Sequence, residues 1–170
     1  SRRRCQFLLF GVVRNWSYLE SNLDAFLRKR PRIGMWAALL VASYELMANS
    51  EKSAQIVDHA VGSIGKKFSK SEKALANAVL RKVVQGIAKS TDAVPSDSSS
   101  MAVQYSHPAW LIDRWIKQFG FEDAAALARW NQEEPDIYFL PLEGAKATAL
   151  GQSTDWEPYR KGSDTNWSEL

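Results

Sequence analysis

The chain has 170 residues, the span of one ordinary domain, with 45% hydrophobic, 11% aromatic and 24% charged residues. That balance excludes a disordered, collagenous or disulfide-stapled polypeptide. Net charge is only +3, yet residues 1–90 hold 16 Lys/Arg against 6 Asp/Glu, a balance of +10, and residues 91–170 hold 6 against 13, a balance of −7. Such asymmetry suggests a basic half that meets a polyanion, although short chains also acquire it without function.

Residues 2–14 (RRRCQFLLFGVVR) are apolar on most sides between basic ends, which predicts a helix largely buried between neighbours. Ser17 followed three residues later by Glu20 has the capping-box spacing and predicts a second helix from Tyr18 to about Arg28, with Leu19, Leu23, Phe26 and Leu27 on one face. Pro31 restarts the chain, and Met35, Trp36, Leu39, Leu40, Ser43, Leu46 and Met47 give a third helix. The fourth carries Ile56, Val57, Ala60, Val61, Ile64 and Phe68 on one stripe. Ser69 and Glu72 form a second capping box before the steadiest stripe of the chain, Leu75, Ala76, Val79, Leu80, Val83, Val84 and Ile87. Short connections between such helices predict an antiparallel helical bundle over residues 1–90.

Residues 91–106 are rich in Ser and Asp without periodicity and read as a linker. Pro108 then opens a helix with Leu111, Ile112, Trp115, Ile116 and Phe119 on one face, ended by Gly120, and Glu122 to Trp130 forms a second. Together they predict a helical hairpin within residues 107–141, in which Ile137 to Leu140 is expected as one short strand after Pro135. Residues 142–170 read as an irregular tail with Trp156 and Trp167. The fold class is therefore all-α.

Catalytic chemistry finds little support in these residues. A single cysteine, Cys5, excludes an intrachain disulfide and a multi-cysteine metal site and fits a cytoplasmic location, and two histidines are too few for most metal centres. His59 reads as a surface or half-buried structural residue and His107 as a helix-entry residue. Glu122/Asp123 and Glu133/Glu134 are adjacent in sequence and point apart on a helix, and Gly62 to Lys67 lacks the spacing of a phosphate loop. No apolar run approaches the ~18 residues of a membrane span. Arg2 to Arg4 before Phe7 to Val13 imitate a signal peptide without a cleavage site, and the initial Ser suggests a fragment or processed product.

The basic residues carry more. They fall mainly at helix ends and connections, where they can converge on one phosphate-binding surface. Asn77, Arg81 and Gln85 share a stripe opposite the apolar one, mixing a charge with two amides able to meet bases or sugars. The same stripe also fits a solvated face, and Asn77 also fits a buried amide bond to a neighbouring helix.

Phe7-Leu8-Leu9-Phe10-Gly11-Val12-Val13-Arg14-Asn15, with Leu23-Asp24 and Leu27 after it, resembles the "LvyGvvRn…LD..L" segment of NusB-like domains that precede rRNA (cytosine-C5) methyltransferase domains of the Sun/Fmu type. Residues 38–47 (ALLVASYELM) look like the "Lrla.yELl" helix, and Val57 to Val61 with Ala76 to Arg81 are similar to the "vneaVelak…fvNavLR" pair. Beyond the linker, His107 to Leu111, Phe119-Gly120 and Ala124 to Asn131 resemble the family's hairpin before the methyltransferase part. Three departures stand out: Ile137 to Pro141 replaces an "lRvN" strand and its arginine, the usual first two helices are missing, and so are the S-adenosylmethionine-binding sheet and the two catalytic cysteines.

The resemblance implies a NusB-like bundle, linker and hairpin acting as the ribosomal RNA-binding, substrate-recruiting part of a methyltransferase-related protein. It implies no catalytic residue, no metal and no cofactor in this chain, S-adenosylmethionine belonging to a catalytic domain outside it. Arg2, Arg3, Arg4, Arg14, Arg81 and Lys82 are the expected phosphate contacts, with Asn77 and Gln85 for shape-dependent or base contacts. The alternative is a protein-interaction module for ribosomal or transcription-factor proteins, docking through Trp110, Trp115 and Trp130.

Overall fold

A computed structural model describes residues 2–90, 94–133, 138–140, 152–155 and 159–162 of the chain. They divide into two compact units, Ser1–Gln132 and Glu133–Leu170. The first contains eight α-helices: α1 Arg2–Arg14, α2 Trp16–Asp24, α3 Ile33–Ala48, α4 Ser53–Lys67, α5 Lys70–Ser90, α6 Ser98–Gln104, α7 Ala109–Phe119 and α8 Phe121–Trp130. This unit is the expected all-α bundle with a helical hairpin.

The bundle is built around α3, which packs against α1, α2, α4 and α5. Its sequence is apolar all round, so Met35, Trp36, Leu39, Leu40, Tyr44 and Leu46 are all buried in one cluster with Leu19, Leu23, Ile64 and Leu80 of the surrounding helices. The α4–α5 pair turns through Phe68 and Ser69, and the second capping box forms as expected. Ser69 Oγ accepts from the Glu72 N–H (3.3 Å) while the Glu72 carboxylate accepts from the Ser69 N–H (3.0 Å). Arg32, at the start of α3, lays its guanidinium along the same carboxylate at 2.8 and 2.9 Å and over the Phe68 ring, tying two helix starts together. These bonds hold the Glu72 carboxyl down at about 2 from its ordinary 4.5.

Two expectations fail in this part. α1 is not enclosed: only Gly11 and Val12 are buried, while Leu9, Phe10 and Val13 are 60%, 60% and 61% exposed. One face of α1 meets α3 and α2, and the opposite apolar face is open. Nor do Ser17 and Glu20 cap a helix. α2 begins at Trp16, ahead of the expected start, so Ser17 lies inside it, and the Asn15 side-chain amide donates instead to the Gly11 carbonyl at 3.0 Å. An orphan first-turn N–H, that of Tyr18, donates to Ser106 Oγ (3.1 Å) from 88 residues away.

The stretch expected as a linker contains α6. Asp97 caps it through a reciprocal box with Ser100, and Met101, Ala102 and Tyr105 seed a second apolar cluster with Ile112, Ala124 and Ala128 of α7 and α8. α6 ends in a Schellman turn, with the His107 N–H donating to the Ala102 carbonyl and the Ser106 N–H to the Val103 carbonyl; Ser106 takes the left-handed position at φ 49°. His107 is a helix-entry residue: its Nδ1 meets the Tyr105 carbonyl at 2.5 Å and its ring lies 5.3 Å from that of Trp115. Gly120, at φ 86°, separates α7 from α8, a backbone state that explains the glycine.

The second unit shows three two-residue strands, Tyr138–Phe139, Gln152–Ser153 and Arg160–Lys161, in an antiparallel sheet with the last in the centre. The expected strand is the first of these; Ile137, Trp156, Trp167 and most of the 142–170 tail lie outside the described residues.

Candidate nucleic-acid interface

The α5 stripe is real. The capping box and the buried Ala76, Val79, Leu80 and Val83 fix the rotation of α5 about its axis, which leaves Arg81 and Gln85 exposed and Asn77 half-buried on the outer side. Among the described residues Asn77 does not bond to a neighbouring helix. Its Oδ1 accepts from Arg81 Nε at 3.1 Å, one turn on, so the amide orients the guanidinium and leaves its terminal nitrogens outward. Arg81 forms no ion pair with any described carboxylate.

Arg81, Val84 and Gln85 form one wall of a cavity of about 330 Å³ whose other wall is Ala54, Val57 and Asp58 of α4. Its lining mixes apolar Ala54, Val57 and Val84 with polar Ser53, Asp58, Arg81 and Gln85, the usual build of a small-ligand site. Asp58 was not among the expected contacts. The one signal for it is its sign: it is one of only six acids in residues 1–90.

The other expected residues spread out. Lys82 holds its Nζ 5.8 Å from the ring of Phe26, two residues beyond α2. Arg2 and Arg3 are exposed at the start of α1, Arg14 is half-buried at its end, and Arg4 pairs with Glu45 of α3. The structure thus brings Asn77, Arg81 and Gln85 together and puts the four arginines on another helix. Histidine chemistry gains nothing: His59 borders an apolar cleft beside Ala60 and Ile64. Among the described residues no group of three His, Cys, Asp or Glu could hold a metal ion, and no helix is long and apolar enough to cross a membrane.

Residues 1–85, half of the chain, match the NusB family. The chain belongs to the NusB family. The match covers α1 to α4 and most of α5, so the Asn77–Arg81–Gln85 stripe and its cavity lie inside the NusB-family region. The chain is also similar to the "Probable ribosomal RNA small subunit methyltransferase B" of Bacillus subtilis (strain 168), with 26% identity over 125 residues. That stretch is 72% of this NusB-family chain and 28% of the relative's length. No solved structure matches it at a significant level.

Proposed function

We propose that this NusB-family chain binds ribosomal RNA and serves as the substrate-recruiting part of a protein related to the rRNA (cytosine-C5) methyltransferases. The observation that carries the reading is the α5 stripe: an arginine that pairs with no described carboxylate, bonded to Asn77, beside Gln85 in the lining of a cavity. The Bacillus relative's name supports the RNA class. Arg2 and Arg3 add to it, because both are exposed cations at the positive end of the α1 dipole, a repulsion that an RNA phosphate would relieve. In this reading S-adenosylmethionine serves the parent's catalytic domain and no residue here.

The test is fluorescence anisotropy with an rRNA fragment across a salt series. Replacing Arg14, Arg81 and Lys82 by Glu should weaken binding and reduce the slope of log K against log salt by about 2, from ~0.7 for each lost single-strand contact. Unchanged affinity at low salt refutes the assignment.

The protein-interaction reading keeps one specific support. Trp110 and Trp130 are 64% and 66% exposed on the α7–α8 hairpin, whereas Trp115 packs into the second cluster and against His107. A partner captured through that hairpin after nuclease treatment, and lost on W110A/W130A, would favour it.

A further inference from the structure

The bundle's acids are almost all committed. Of the six in residues 1–90, Glu20 and Asp24 hold Arg30, Glu45 holds Arg4, Glu72 holds Arg32, and Glu51 lies 3.8 Å from Lys52. Asp58 alone has no cationic partner among the described residues, and it lines the α4–α5 cavity opposite Arg81 without pairing to it. A bare carboxylate on a phosphate-binding face repels RNA unless it accepts hydrogen bonds from the ligand.

We infer that this cavity takes an unstacked guanine base of single-stranded RNA, with Asp58 accepting from its Watson–Crick edge. The inference rests on the RNA-binding reading above. Guanine is the base whose edge offers two adjacent donors, N1–H and the N2 amine, matching the two oxygens of a carboxylate. Adenine and cytosine offer one amine beside a ring nitrogen whose lone pair the carboxylate repels, and uracil's single N–H lies between two carbonyls. Ala54, Val57 and Val84 give the base an apolar surface, Gln85 can donate to guanine O6 or N7, and Arg81 is placed for the flanking phosphate or for stacking. The cavity's volume of about 330 Å³ is at the lower end of the range for small-ligand sites, as one base requires.

The experiment uses the 170-residue chain and labelled eight-nucleotide RNAs: all uridine, or uridine with one central guanosine, adenosine, cytidine or inosine. The guanosine oligomer should bind at least about fivefold more tightly than the others, the low end for a bidentate base contact. Inosine, which lacks the N2 amine, should lose most of that gain. Asp58→Asn should erase the guanosine preference while leaving all-uridine affinity equal or higher, and Arg81→Gln should weaken every oligomer. Equal binding of all bases, a cytidine preference, or a guanosine preference that survives Asp58→Asn overturns the cavity assignment and leaves RNA binding standing. Free guanosine monophosphate binding more tightly than the guanosine oligomer overturns it in favour of a mononucleotide site. No binding of any oligomer overturns the RNA reading and the base site with it.

Discussion

Gly11→Ala should destabilise the protein although it replaces the poorest ordinary helix former by the best. Gly11 lies inside α1, where an exposed Ala would gain about 1 kcal/mol over Gly. Here a Cβ would fall within the Tyr44 ring, well under 3 Å from Cζ, Cε1 and the hydroxyl oxygen. Tyr44 cannot easily yield. It is buried on α3, and its ring lies 5.4 Å from that of Phe7 on the same α1. The methyl must therefore push α1 off α3 or force Tyr44 from its rotamer, an overpacking cost of ~1–3 kcal/mol or more in a close-packed interior. Because the overlap is with a buried ring, the upper part of that range applies, about 2–3 kcal/mol, and the propensity gain of about 1 kcal/mol leaves a net loss of about 1–2 kcal/mol. For a chain of this size that is a fall in Tm of roughly 2–8 °C, read by circular dichroism. Tyr44→Leu removes the clashing ring atoms, so adding Gly11→Ala in that background should be neutral or stabilising, and the double-mutant cycle isolates the clash. A Gly11→Ala variant as stable as the parent, or a clash that persists without the Tyr44 ring, refutes the close approach of α1 to α3.

Two further substitutions probe the core and the α3–α5 tie. Ser43, 1% exposed on α3, has a buried Oγ with no hydrogen-bond partner among the described residues, so Ser43→Ala should raise stability by about 1 kcal/mol in chemical denaturation, and a loss would mean the hydroxyl is bonded after all. Glu72, whose folded pKa of about 2 lies below the ordinary 4.5, contributes stability that is present above pH 4.5 and lost as pH falls towards 2. Glu72→Gln should therefore narrow its stability gap to the parent across that window, and a gap independent of pH would show that the Arg32 pair does not form in solution.

Much of the fold was legible because periodicity and capping are local. Ser69 with Glu72 announced α5, and the apolar stripe that follows fixed which residues face inward, hence the outward position of Asn77, Arg81 and Gln85. Two features were not local and so stayed hidden. α6 looks like a linker because Ser98 to Ser100 carry no apolar signal, and only packing against α7 and α8 makes Met101 and Tyr105 core residues. The start of α2 is not local either, because its first-turn N–H is satisfied by Ser106, a partner no window of sequence contains. The apolar run of α1 implied burial on several sides, but periodicity reports what a helix could bury, and only one face of α1 meets the bundle.

The same distinction decides where the positive charge can act. Arg28-Lys29-Arg30-Pro31-Arg32 packs four cations into five residues. The structure commits half of its arginine and lysine side chains to the fold. Arg30 bridges Glu20 and Asp24 and covers Trp36 at 4.8 Å, and Arg32 holds Glu72 and covers Phe68. Guanidinium groups held this way have their charge answered and their donors occupied, so they offer a polyanion little until those bonds break. Arg81 differs because its bond through Nε to an uncharged amide leaves both its charge and its terminal nitrogens available. The sparser stripe on α5 is therefore the stronger candidate. A charge reversal at Arg30 should mainly lower stability, while one at Arg81 should mainly lower RNA affinity.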